Sequence, residues 1–277
     1  MISQAIMRLE RHRQAIKWLV YGLLFINLSV YVMEDWQSFS RSNTFTLITL
    51  AAAFATSLDT SAWFGLLVVF EIETYRQQLY QRPPVRLLLN GLRWACFGVL
   101  AHTLMVYSLD LLAVINAPTP LVSSLCMLPM AENYYLFNQQ YQLITHSSCQ
   151  NLSLIPGPLY SPEPNVFVDD RGLSIARVQA AISVIECAAW LLAGFAIAAQ
   201  AYLKRRAQYS ALVTVGLEKI THYSYLAIIA CALTWAWYGH FLYTYDSLLW
   251  LGGFAMIEAN LSAWESYLRQ KRRQTRF

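Results

Sequence analysis

The residues best placed to do chemistry in this chain are acids set in apolar surroundings. Three of them are followed by a tryptophan four residues on: Asp59 by Trp63, Glu186 by Trp190 and Asp246 by Trp250. Ten residues past each tryptophan stands a further polar group, Glu73, Gln200 or Asn260. A step of four keeps two side chains on one helix face, and fourteen residues advance about 21 Å and return to within about 40° of the starting face. Each segment would then carry an acid near one end and a polar group near the other, along one stripe. Arranged around a pseudo-threefold axis, Asp59, Glu186 and Asp246 would form an acidic ring, and Glu73, Gln200 and Asn260 a second, inner polar ring. Such rings attract and hold small cations or protons. The plainer reading is that each acid caps a helix start and each tryptophan anchors an interface. That suits Asp246, which follows Tyr243-Thr244-Tyr245, and suits Glu186 poorly, because it lies deep in an apolar pattern.

Other ionisable groups fall inside apolar runs, where a charge is costly and usually faces a cavity or a partner. Glu71 and Glu258 stand eight residues after Trp63 and Trp250, a second candidate cation or proton site. Glu71 can alternatively pair with Arg76, and Glu258 can make a neutral contact between helices. His102, with Asp110 two turns away, is a candidate proton relay, although a lone His bonding between helices is the default. A b-type haem needs a second His at the depth of His102. Neither His222 nor His240 offers one, so no cofactor is expected. The sequence gives no sign of a metal site, nucleotide loop, nucleophile elbow or zinc motif.

These residues have to be positioned by membrane helices. Of 277 residues, 57% are hydrophobic and 13% charged, about half the charge of a soluble globular protein. Six runs are close to the roughly 20 apolar residues a spanning helix needs: Ala15–Met33, Leu58–Thr74, Leu87–Val114, Ala176–Leu203, Ile220–Tyr243 and Leu248–Tyr267. The apolar stretch 44–57 continues into the second run, which predicts one long, tilted or projecting helix. All Lys and Arg except Arg41, Arg171 and Arg177 fall at one end of these spans, so both termini are expected on the cytoplasmic side. No cleavable signal peptide is apparent. The expected fold is all-α: a single domain over residues 1–277, with six spans forming three out-and-back hairpins. The outgoing segments partly share a pattern of their own: Lys17-Trp18 with Tyr31 and Glu34, and Arg93-Trp94 with Tyr107 and Asp110.

One large segment, residues 116–173, lies between the third and fourth spans on the extracytoplasmic side. It holds seven of the nine prolines and two of the five cysteines. A disulfide between Cys126 and Cys149 is expected there. The aromatics between them (Tyr134, Tyr135, Phe137, Tyr141) are either a partner surface or the loop's own core. Asn151-Leu152-Ser153 matches a glycosylation acceptor.

The chain is therefore expected to be a multi-pass protein of a bacterial inner membrane that conducts or transports a small cation or proton. The competing expectation is a non-catalytic membrane subunit that recruits a partner through its outer loop. Partners are the lipid bilayer and a second copy or another membrane protein. Nucleic acid is set aside, because the basic residues form short clusters at helix ends, not a stripe. Enzymatic activity is not expected.

Overall fold

A computed structural model of the chain describes residues 2–40, 46–75, 77–119, 125–127, 133–154, 157–206 and 211–254. The end of the sixth expected span and the basic residues after it lie outside the described residues. The helices are α1 (Ile2–Ser40), α2 (Leu47–Ala53), α3 (Ala55–Tyr75), α4 (Gln77–Tyr80), α5 (Pro83–Ile115), α6 (His146–Ser153), α7 (Asp170–Arg206) and α8 (Ala211–Trp237). Residues 241–254 form a further helix, α9. Stretches of α1 (Trp18–Gln37), α3 (Ala55–Glu73), α5 (Pro83–Ile115) and α7 (Asp170–Gln200) are long and apolar enough to cross a bilayer. The most extensive helix contacts are those of α7 with α8, α3 with α5 and α5 with α7, while α1 packs on α3 over a smaller area.

Helix ends are fixed by specific groups. The long helix expected over 44–74 is interrupted at Phe54, between α2 and α3. Asp35 of α1 supplies what the start of α3 lacks: its Oδ2 accepts from the backbone N–H of Ser57 at 2.9 Å and from the Ser57 hydroxyl at 2.6 Å. An orphan first-turn donor is thereby satisfied from a neighbouring helix. Arg82-Pro83-Pro84 starts α5, with proline in its first turn, where no N–H is missed. At the other end of α5, Arg177 of α7 donates to the carbonyls of Val114 and Ile115 at 3.4 and 3.2 Å, a cation at the negative end of a helix dipole. The turn between α8 and α9 falls at residues 238–240, earlier than expected, because Gly239 adopts φ +83°, a conformation open to glycine.

The all-α expectation needs one correction. Residues 134–168 contain a four-stranded sheet: β1 (Tyr134–Phe137), β2 (Gln140–Leu143), β3 (Tyr160–Glu163) and β4 (Val166–Val168), in the order β2-β1-β4-β3. β1 and β2 form an antiparallel hairpin with Phe137 opposite Gln140. Its two-residue turn puts Asn138 and Gln139 at φ 50° and 62°, the twist that matches a right-handed ribbon. β4 lies parallel to β1 and antiparallel to β3. Leu125, Tyr135, Ile144, Cys149 and Phe167 form a small core beneath the sheet. Thr145 caps α6 reciprocally with Ser148, and a Cys126–Cys149 disulfide joins the short 3₁₀ turn at Leu125–Met127 to α6.

This sheet is seated on the first turns of α7. Asp169 caps α7 by accepting the Gly172 N–H at 2.6 Å. A Cβ on Gly172 would lie 2.7 Å from Val168 Cγ2, 2.8 Å from Asp169 Oδ1 and 3.3 Å from the Leu136 carbonyl. The Tyr135 phenol is pushed up to about 12, first by burial, then by the charge of Asp169 and the hydrogen bond it donates to that carboxylate. The Arg171 guanidinium sits 5.9 Å over the Phe137 ring. At the hairpin tip, Asn138 donates to the Tyr238 carbonyl at 3.0 Å, and its Oδ1 accepts from Gln179 at 2.6 Å and from His240 at 3.0 Å. One loop thus reaches both α7 and the α8–α9 turn.

Two outcomes follow. Replacing Cys126 and Cys149 together by serine should cost this small domain about 3 kcal/mol, seen as faster protease cleavage between residues 126 and 149 with the helices still protected. Gly172→Ala should cost about 1–3 kcal/mol through overpacking, measured as a lower thermal midpoint in detergent.

Candidate functional site

The three acids marked by a tryptophan four residues on come together. They sit on α3, α7 and α9 and are close enough that Asp246 and Glu186 both act electrostatically on Asp59, and Asp246 on Glu186. Each carboxylate has its own tryptophan as a hydrogen-bonding neighbour: Trp63 for Asp59, Trp190 for Glu186 and Trp250 for Asp246. The helical step of four places each indole one turn along from its acid, on the same face.

Further groups from the remaining helices complete the cluster. Glu186 Oε2 accepts from the Trp235 indole of α8 at 2.8 Å, and Oε1 accepts from the Ser247 hydroxyl of α9 in a very short contact. Asp246 Oδ1 accepts from the Asn27 amide of α1 at 2.7 Å, and the Tyr31 hydroxyl, one turn along α1, is a second donor to it. The Tyr107 phenol of α5 lies near Asp59 and 3.4 Å from Thr56 Oγ1. Asp59 Oδ1 is cut off from solvent and has no hydrogen-bond partner among the described residues. Six helices therefore each turn polar side chains toward one buried place.

Below the acids the three tryptophans close into an aromatic layer. Trp63 lies 5.7 Å from Trp190 and 6.3 Å from Trp250 between ring centroids. Phe254 joins Trp63 edge-on at 5.6 Å and Trp190 at 5.5 Å. Leu24, Leu66, Leu100 and Ile197 pack in the same cluster. The layer needs Gly194: a Cβ there would meet the Trp63 ring at 3.0 Å.

The capping reading of these acids fails on position. Asp59 lies four residues into α3, which begins at Ala55, and Asp246 lies five residues past the start of α9 at 241. The expected Tyr243-Thr244-Tyr245 turn is helical.

The other candidates lie elsewhere. Glu73 is paired with Arg93 of α5 at 2.6 Å, Gln200 is half-buried on α7, and Asn260 lies outside the described residues. Glu71 is half-buried on α3, twelve residues from Asp59 and so about 18 Å along the axis. Glu258 lies outside the described residues. His102 is half-buried on α5 and makes no side-chain hydrogen bond among the described residues. Asp110, two turns on, faces Glu163 of β3, not His102. Cys126 and Cys149 are joined, while Cys96, Cys187 and Cys231 are buried thiols.

Sequence reading missed Asn27, Tyr31, Trp235 and Ser247. Asn27 and Tyr31 carry a faint signal, a polar pair four residues apart in an apolar run. Trp235 carries none, since a tryptophan in such a run reads as packing.

Three carboxylates in one low-dielectric place repel each other strongly. Among the described residues, no cationic group acts on Asp59. The arrangement can hold a proton or cation, or share protons among its members. Comparison with known proteins adds no precedent: no family model, no curated protein and no solved structure matches the chain.

Trp235→Phe keeps an aromatic side chain but removes the N–H given to Glu186 and one ring of the buried indole. Losing a bond to a buried carboxylate should cost about 1–3 kcal/mol, read as a lower unfolding midpoint by intrinsic fluorescence.

Proposed function

We propose that this chain is a membrane protein that moves a proton or small cation through a bundle of six spanning helices, with Asp59, Glu186 and Asp246 as its central site. On this reading α8 and α9 cross the bilayer beside α1, α3, α5 and α7. The termini and the basic turns face the cytoplasm, as Lys and Arg placement favours, and the domain at 116–173 faces the other side. The expected setting is a bacterial inner membrane. The observation that carries the reading is the meeting of three acids from three helices, with no basic group among the described residues acting on Asp59. Intramembrane acids are expensive and mark ion or proton pathways more often than structural contacts. The tryptophan layer beneath them would close the site on one side, the occluded form of an alternating or gated pathway. The Glu73–Arg93 pair would lie beyond that layer toward the cytoplasm. Glu71 and Glu258 would serve the inner half of the route.

The alternative is a non-catalytic subunit that recruits a partner through the sheet. In its favour β2 is an exposed edge strand, with Tyr141 and Leu143 exposed, open to strand addition. Against it, Tyr135 and Phe137 are used up in the domain's own core.

The test is flux in vesicles containing the full chain and an internal pH indicator, under imposed proton, sodium and potassium gradients. Asp246→Asn and Glu186→Gln should each reduce flux to that of empty vesicles while the protein still elutes as one folded species. Flux in the wild type that both variants retain would overturn the proposal. Loss of function on deleting 126–149, with flux absent throughout, would favour the recruiting subunit.

A further inference from the structure

The hydrogen-bond accounting around the three acids indicates which cation the site accepts, an inference that rests on the transport reading above. A metal ion must be met by lone pairs, about six or more oxygens for a hard divalent cation. Here the carboxylate oxygens are already turned toward hydrogens. Glu186 uses Oε1 for the Ser247 hydroxyl and Oε2 for the Trp235 indole. Asp246 takes the Asn27 amide at Oδ1, with Tyr31 and Trp250 as further donors. An amide NH₂ and an indole N–H cannot become acceptors. They would present partial positive charge to a metal ion entering between the acids.

Asp59 is the exception. Its Oδ1 is enclosed and unpartnered, a costly state for an ionised oxygen. As O–H the same atom carries no charge against its neighbours and becomes a donor to the acids nearby. The titratable groups that act on Asp59 or on its neighbours are Glu34, Asp35 and Tyr31 on α1, Tyr107 on α5, Glu186 and Cys187 on α7, Cys231 on α8, and Tyr243 and Asp246 on α9. His240, stacked on Tyr243 at 5.7 Å, is the imidazole beside them. Among the described residues no Lys or Arg belongs to this group, donors are many, and Asp59 Oδ1 is an enclosed oxygen that no donor meets.

We infer that the species this site takes is a proton, carried on Asp59, and not a metal ion. Glu186 and Asp246, each held by fixed donors, keep their geometry while Asp59 gains and loses the proton. Trp63 bonds to Asp59 and stacks in the aromatic layer, so the charge state of Asp59 is felt directly by the group that closes the site.

The experiment is infrared difference spectroscopy on the full chain in lipid. Stepping the pH should produce a protonated-carboxyl band that shifts in heavy water and on labelling aspartate with ¹³C at the side-chain carboxyl. The band should be lost in Asp59→Asn and kept in Glu71→Gln. Sodium, potassium, magnesium or calcium chloride added at constant pH should leave the carboxylate bands unchanged. If Asp59→Asn does not fold, Asp59→Glu in aspartate-labelled protein decides: the labelled band should disappear and an unlabelled carboxyl band should take its place, and a labelled band that persists would overturn the inference. A saturable carboxylate shift with any of those salts would overturn the inference. So would the absence of a protonated-carboxyl band, or one indifferent to the aspartate label. Flux driven by a metal-ion gradient alone would sink the proton assignment and leave transport standing. An aspartate band with no flux under any gradient would do the reverse.

Discussion

Everything at the centre of this protein is arranged around the difficulty of enclosing several carboxylates together. Charges of one sign at close range in a protein interior repel one another, and a folded domain has only a small margin of stability to set against that. The chain answers with directed donors: indoles from Trp63, Trp190, Trp235 and Trp250, an amide from Asn27, hydroxyls from Tyr31 and Ser247. Because these donors come from different helices, satisfying the acids also fixes how the helices stand to one another. Four of the helices are long and apolar enough to cross a bilayer; helices in lipid would gain little from apolar contact, and polar contacts of this kind with close packing would hold them together. The close packing is visible at Gly65, where a Cβ would meet Cys96 Sγ at 2.6 Å, and at Gly194 against Trp63.

A second layer of order comes from helix ends that are completed by neighbours. Asp35 supplies an acceptor to the start of α3, and Arg177 supplies donors to the end of α5. Each contact does a capping residue's work from another part of the chain. The result is a bundle in which α1 and α3, and α5 and α7, are tied at defined heights. That defined height lets Asp59, Glu186 and Asp246 meet at one level.

Much of this was written in the sequence, though unevenly. The apolar runs of α1, α3, α5 and α7 were legible because hydrophobic length is a strong signal. The Cys126–Cys149 bridge was legible because both cysteines lie in the single large segment between apolar runs. The acid–tryptophan spacing pointed to three carboxylates that the fold brings together, since four residues is a helical step. What failed was anything set by tertiary surroundings. The sheet was missed because Tyr134–Phe137 and Gln140–Leu143 are short, and Asn138-Gln139 is a weaker turn signal than Asn-Gly. The α8–α9 turn was misplaced because a single glycine in an apolar run gives little warning. Glu73 was assigned to a ring although its partner, Arg93, was in plain view, because pairing across helices cannot be read from spacing along one of them. Asn27 and Ser247 became visible only once their partners stood beside them.

The sheet order carries a consequence for how the molecule is made. β4 sits between β1 and β3, yet it is the last of the four strands to leave the ribosome. Until Val166–Val168 arrives, β1 has β2 on one side only and β3 has no strand to pair with. The first turn of α7 follows β4 within two residues, so seating the sheet and placing α7 are a single event in biogenesis. A nascent chain paused before that point would hold an unfinished domain with open strand edges, the form most exposed to quality-control proteases.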